Sequence, residues 1–155
     1  MTRTAQAPRG ERGQHGAGGV RAQQRSRTGR LGEEIVARYL ADQGWQLLDR
    51  NWRPGPGSGL RGELDLVALD PGGTQHGTTP VLVVLEVKTR RCLGAGAPAE
   101  AVTTAKLARL RHLAGRWAEE HRPPGTAPGL RVDVVSVLLR VGAPAQLRHH
   151  HGVTL

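Results

Sequence analysis

The chain shows no apolar periodicity through about residue 27, and a helical stripe then begins. Leu31, Ile35, Val36, Tyr39 and Leu40 recur at helical spacing, which predicts a helix from about Arg30 to Gln43, ended by Gly44. Trp45–Trp52 (WQLLDRNW) has the character of a strand, and the RPGPGSG that follows reads as an exposed loop. Two more strands are predicted at Glu63–Leu69 and Val81–Thr89, joined by a turn-rich segment that starts at Pro71–Gly73. The second of these is almost wholly apolar and β-branched, the pattern of a strand covered on both faces. Loop residues Leu93–Pro98 lead into a second helix, about Ala99 to His121. Its stripe is Val102 or Thr103, Leu107, Leu110, Ala114 and Trp117. PPGTAPG breaks that helix, Leu130–Arg140 reads as a strand, and Gln146–His151 can add a short last one. The order αβββαββ predicts an α/β fold: a mixed central sheet with a helix packed on each side.

Composition narrows this picture. The 155 residues suit one domain with a real core, built from Leu, Val and Ala because there is no Phe, one Tyr and three Trp. The single cysteine, Cys92, excludes an internal disulfide and a cysteine-based metal cluster. No apolar run is long enough to span a membrane, and the amino terminus has no secretory apolar region, so the expected compartment is the cytoplasm. Of the net charge of +9, residues 1–30 supply +6, from seven arginines against Glu11; the other 125 residues supply only +3. Residues 1–27 are therefore expected to form a disordered basic Arg/Gly-rich arm, either a non-specific nucleic-acid contact or a leader without a task, ahead of a folded domain at 28–155.

The chemistry is concentrated between Gly62 and Arg91. Glu86 and Lys88 interrupt an apolar strand two residues apart, so their side chains leave the same face. Asp65 is the one ionisable residue within LDLVAL, and a hairpin through Pro71–Gly73 would set it beside Glu86. Burying such groups costs several kcal/mol or more, about the desolvation of an ion, unless something pairs with them. Two carboxylates and a lysine at a strand end suit a hard divalent cation such as Mg²⁺, with the lysine against a phosphate or a water. The plainer readings are that Glu86 and Lys88 pair with each other and that Asp65 is a buried, hydrogen-bonded acid.

GRLGEEIVARYLADQGW (29–45), RNW (50–52), GELDLVALD (62–70), LEVKTR (85–90), Lys106 after GAPAEAV, and RVDVVSV (131–137) together resemble the YraN family of bacterial proteins. That family is similar to archaeal Holliday-junction resolvases and, more distantly, to restriction-endonuclease-like PD-(D/E)xK nucleases. The resemblance runs from about Gly29 to the carboxyl terminus. It implies a restriction-endonuclease-like αβββαβ core with a metal-dependent nuclease site at the edge of the sheet. By the same resemblance Asp65 and Glu86 stand where such nucleases hold one or two Mg²⁺ (or Mn²⁺) ions, and Lys88 where they orient or activate the attacking water. Glu33 matches the acid on the first helix that completes the site, and the backbone carbonyl of Val87 would add an oxygen ligand.

Other residues are more ambiguous. Glu33 and Glu34 also suit the positive end of a helix dipole, and about 100° of rotation separates them, so only one faces the site easily. Arg50, Arg53 and Arg61 flank the Gly/Pro loop and Arg90 and Arg91 follow the Glu86–Lys88 strand; with Lys106 they are candidate nucleic-acid contacts, or simply solvated cations. Trp52 is better suited to packing than to base stacking. Asp133, inside an apolar strand, needs a partner and reads as structural. His149, His150 and His151 read as a native final strand rather than a zinc site. The expectation is a Mg²⁺-dependent endonuclease on DNA, branched or damaged, in repair or recombination, a homodimer if the substrate has two strands to cut. The rivals are a nucleic-acid-binding adaptor with little or no catalysis, and an arm that recruits RNA or an acidic protein. Metal binding separates the first two; deleting residues 1–27 tests the third.

Overall fold

The computed structural model describes residues 16–72, 79–92 and 102–153. Seven elements follow one another: α1 (Gly16–Asp42), β1 (Gln46–Trp52), β2 (Leu64–Asp70), β3 (Val81–Arg91), α2 (Thr104–His121), β4 (Leu130–Arg140) and β5 (Ala143–His150). The five strands form one sheet in chain order. Strands β1, β2 and β3 make an antiparallel meander, β3 and β4 pair in parallel across α2, and β4 returns antiparallel into β5. This is the mixed αβββαβ arrangement expected, with β5 added at one edge.

Each helix covers one face, and the alternation of the central strands decides which residues meet it. Val67 and Leu69 of β2, with Leu82 and Val84 of β3, pack against Leu107, Leu110, Leu113, Ala114 and Trp117 of α2. Leu66 and Ala68 of β2, Val83 and Leu85 of β3, and Val135 and Val137 of β4 pack against Val36 and Leu40 of α1. Both faces of β2 and β3 are thus apolar, which is why these strands read as continuous hydrophobic runs.

Several boundaries differ from the sequence expectation. The helix expected from Arg30 begins at Gly16, so residues 16–27, expected to be disordered, are helical; residues 1–15 lie outside the described chain. Extending an existing helix avoids the cost of nucleation, and Arg, Ala and Gln between Val20 and Arg27 are good helix formers. Leu31, assigned to the apolar stripe, is 44% exposed. The contact row is instead Gly32, Val36 and Leu40, four residues apart, and Leu31 lies off it. Gly32 permits that closeness: a Cβ there would fall 1.7 Å from the Thr89 hydroxyl oxygen of β3. The second helix starts at Thr104 rather than near Ala99, because Thr103 is extended and its hydroxyl accepts the Lys106 N–H at 3.2 Å as a cap. Residues 99–101 lie outside the described chain.

Candidate functional site

The carboxylates gather at one end of the α2 face. Leu66 pairs with Leu85, so the next step of the same ladder sets Asp65 opposite Glu86. Both continue the rows that pack under α2, and Lys88 follows two residues on. Asp65 Oδ2 accepts the Val87 N–H at 2.8 Å. Glu86, only 5% exposed, has Lys88 Nζ 3.5 Å from its Oε1. Lys106, on the first turn of α2, makes a shorter ion pair with the same oxygen. Glu33 reaches the site from α1, on the far side of the sheet's end, and its Oε2 accepts a hydrogen bond from Asn51 Nδ2 at 3.1 Å.

A cavity of about 580 Å³ opens over this group. Glu33, Asp65, Glu86, Val87 and Lys106 line it, and Arg53, Arg61 and Arg109 bring positive charge to its wall. Burial pushes the Asp65 carboxyl up to about 7, the Glu86 charge adds to the rise and Glu33 contributes; the Val87 N–H and Lys106 oppose it. Burial works against the Lys106 charge, but the Glu86 carboxylate that hydrogen-bonds it outweighs burial and raises its pKa above the ordinary lysine value. Lys106 therefore stands as an ammonium within a carboxylate pocket.

The other sequence candidates divide. Arg50 bonds Glu34 at 2.9 Å, and Arg38 bonds the same carboxylate at 3.2 Å, which holds Glu34 below the usual carboxylate range and settles that Glu33 is the one turned to the cavity. Arg53 pairs with Glu63 at 2.6 Å on the cavity wall, and Arg61 is exposed beside it. Among the described residues Arg50, Arg90 and Arg91 do not line the cavity; the latter two carry β3 past it. Lys106, expected on the helix surface, is instead the partner of Glu86. Sequence reasoning missed Arg109 and Asn51. Arg109 sits three residues after Lys106, a helical spacing that puts both on one face. No pattern announced Asn51.

A second polar cluster lies on the α1 face, between β4 and β5. Asp133 is fully buried; Arg131 bonds both of its oxygens at 2.9 and 3.0 Å, His149 Nε2 lies 2.9 Å away and the Gly152 N–H donates at 2.8 Å. Arg131 also reaches Asp70 at 2.8 Å. His149 and His151 stack at 3.8 Å. Burial raises the Asp133 carboxyl, but the His149, Arg131 and Gly152 hydrogen bonds outweigh it and hold the group well below its usual range. Asp133, His149 and His151 offer three ligand atoms within 4.8 Å and could hold a metal ion. In the arrangement seen, the Arg131 guanidinium supplies the compensating charge. Asp133 thus has the partners that an acid inside an apolar strand needs.

A fold of this kind, with acids and lysines brought to one sheet end, defines an α/β protein of restriction-endonuclease-like architecture. The family follows from comparison with known proteins. A family model described as "Uncharacterised protein family UPF0102" matches residues 32–137. Curated UPF0102 proteins from Arthrobacter sp. (strain FB24), Kineococcus radiotolerans and Streptomyces coelicolor are 45%, 42% and 45% identical to it. The alignments cover 81%, 87% and 88% of this chain and 93%, 99% and 95% of those proteins. The chain belongs to this family, the YraN family that its motifs resemble. No helix among the described residues is long and apolar enough to cross a membrane.

Proposed function

We propose that this protein is a divalent-metal-dependent endonuclease that hydrolyses phosphodiester bonds in DNA. One observation carries the reading: the partly buried Asp65 lies opposite the buried Glu86, and burial first, then the Glu86 charge, pushes the Asp65 carboxyl up to about 7. Both lysines at the site lie on Glu86, so a further cation beside Asp65 would relieve the cost of holding the two acids together. The donor set fits Mg²⁺ or Mn²⁺, because Asp65, Glu86, Glu33 and the Val87 carbonyl offer hard oxygen ligands and no sulfur or imidazole. A bound divalent cation would stabilise charge on the scissile phosphate and acidify the attacking water.

The chain's own groups do the rest. Lys88, whose Nζ is 3.5 Å from Glu86 although it is not among the residues lining the cavity, would donate to the attacking water or to a phosphate oxygen. Lys106 orients Glu86 and adds charge beside the transferring phosphoryl group. Arg53, Arg61 and Arg109 line the wall that a nucleic-acid backbone would follow, with the Gly/Pro loop after β1 at its rim. On branched DNA two copies would present two such sites, one to each strand. The expected setting is repair or recombination in the cytoplasm.

A second reading has an observation of its own. Lys106 and Lys88 both lie on Glu86, so this carboxylate has its charge matched without a metal. A nucleic-acid-binding adaptor with weak or absent catalysis would look the same. Cleavage of supercoiled plasmid and of a synthetic four-way junction, with Mg²⁺ or Mn²⁺, decides. Cuts that require metal and vanish in Glu86→Ala and Lys88→Ala establish the nuclease. Wild type and both variants equally inert, yet binding DNA equally well, establish the adaptor.

A further inference from the structure

We propose that Asn51 is a positioning residue: it holds the Glu33 carboxylate in the cavity as an uncompensated charge, making Glu33 the third oxygen ligand of the divalent cation. This rests on the metal site proposed above. Three acids meet the strand-to-loop segment at the end of β1, and each receives one side chain from it. Arg50 takes Glu34 at 2.9 Å, Arg53 takes Glu63 at 2.6 Å, and Asn51 takes Glu33 at 3.1 Å. Two of the three are neutralised by guanidinium groups. Glu33, whose charge bears on Asp65, gets a neutral amide instead. Among the described residues no lysine or arginine pairs with it.

The difference matters chemically. A guanidinium would fix the carboxylate and also cancel it, setting up a rival to any metal ion. An amide donor fixes one oxygen and leaves the negative charge and the other oxygen available, the service that outer partners of metal-ligating carboxylates perform.

The backbone supplies a second observation. Asn51 is the one non-glycine with positive φ among the described residues, at 52°. Side chains other than Asn, Asp and Gly rarely adopt this region, and such outliers cluster at functional sites. It occurs at a telling place in the sheet. Arg50 pairs with Leu66 and Trp52 with Leu64, so Asn51 lies opposite Asp65, which lies opposite Glu86. One row across β1, β2 and β3 thus reads Asn, Asp, Glu, and the left-handed turn at its first member gives its amide to the helix acid instead of to the ladder's neighbours.

The test is Mn²⁺ affinity by calorimetry on the full chain, with a thermal melt of each protein, for wild type, Asn51→Gly, Glu33→Gln and the double variant. Glycine keeps the left-handed backbone and deletes only the amide. Asn51→Gly should lose metal affinity by about tenfold with little change in melting temperature, Glu33→Gln by at least as much, and the double variant no more than Glu33→Gln alone. Wild-type affinity in Asn51→Gly, or a loss that persists undiminished in the Glu33→Gln background, would overturn the proposal while leaving the metal site standing. Full affinity in Glu33→Gln would overturn it too, even if Asn51→Gly fails to fold. If wild type shows no binding that Glu86→Gln abolishes, the metal reading itself is refuted.

Discussion

Replacing Asp65 with asparagine should make the metal-free protein more stable, against the ordinary cost of altering a buried polar residue. The carboxyl ionises near 3.8 when exposed and near 7 in the fold. Between those values the folded chain holds a proton that the unfolded chain has released. Stability contributed by this site is therefore complete below pH 4 and is lost as pH rises to 7, after which it is level. Carrying an acid from 3.8 to about 7 corresponds to about 4 kcal/mol lost by pH 8. Asparagine keeps an oxygen for the Val87 N–H and carries no charge, but it must place an amide N–H₂ where a carboxylate oxygen was. Recovery of about half, ~2 kcal/mol, is expected, which for a chain of this size raises the melting temperature by about 4–8 °C. The assay is thermal unfolding of wild type and Asp65→Asn from pH 4 to 9 in the presence of a chelator. The gap between the two should be small at pH 4, open through pH 7 and then stay constant. Adding Mg²⁺ should raise the wild-type midpoint and leave the variant where it is. A variant less stable than wild type at pH 8, or a gap that ignores pH, would refute the argument that Asp65 is held at a cost.

Asp133→Asn should behave in the opposite way, losing about 1–3 kcal/mol, because an amide N–H₂ replaces a buried carboxylate oxygen that accepts from Arg131, His149 or Gly152, while Arg131 keeps its ion pair with Asp70. Its carboxyl is held below the exposed value, so the stability it gives is present above pH 4 and lost on acidification; equal melting of variant and wild type at pH 7 would contradict this. Gly32→Ala should destabilise by about 1–3 kcal/mol, the range for overpacking, because its Cβ would fall 1.7 Å from the Thr89 hydroxyl oxygen. Thr89→Gly should restore part of that loss in a denaturant titration, and no recovery would place the strain elsewhere. Arg61→Ala and Arg109→Ala should each weaken DNA binding and reduce the slope of log affinity against log salt by about 1, measured by fluorescence anisotropy. An unchanged slope in both would move the nucleic-acid path away from this wall.

How much of this was legible depended on whether the physics was local. The end of β3 was readable because alternation alone puts Glu86 and Lys88 on one face, and an apolar run makes them conspicuous. Asp65 was readable because a hairpin fixes register. Lys106 was not, since its place against Glu86 depends on how α2 lies on the sheet and on the Thr103 cap that sets its first turn. Asn51 was hidden for a different reason: a left-handed residue inside a strand leaves no periodic trace. The partners of Asp133 depended on the return into β5, where the ladder slips between Leu138 and Arg140; an irregularity of that kind decides which histidines face inward, and composition does not encode it. The upstream half of α1 was missed because its polar side chains show no apolar stripe, yet continuation from a packed helix needs none.

The sheet sets Asp65 and Asp133 on opposite faces. Asp65 faces α2 and weakens the fold; Asp133 faces α1 and strengthens it. Drift therefore acts on them differently. A lineage with no use for the cavity would be free to exchange Asp65 for a neutral residue and gain stability in doing so, whereas loss of Asp133 would be purged whatever the protein did. On the proposed metal site, an acid retained at the Asp65 position among relatives of this chain would be a record of selection for use, and a neutral residue there would mark a descendant that has kept the architecture and given up the chemistry.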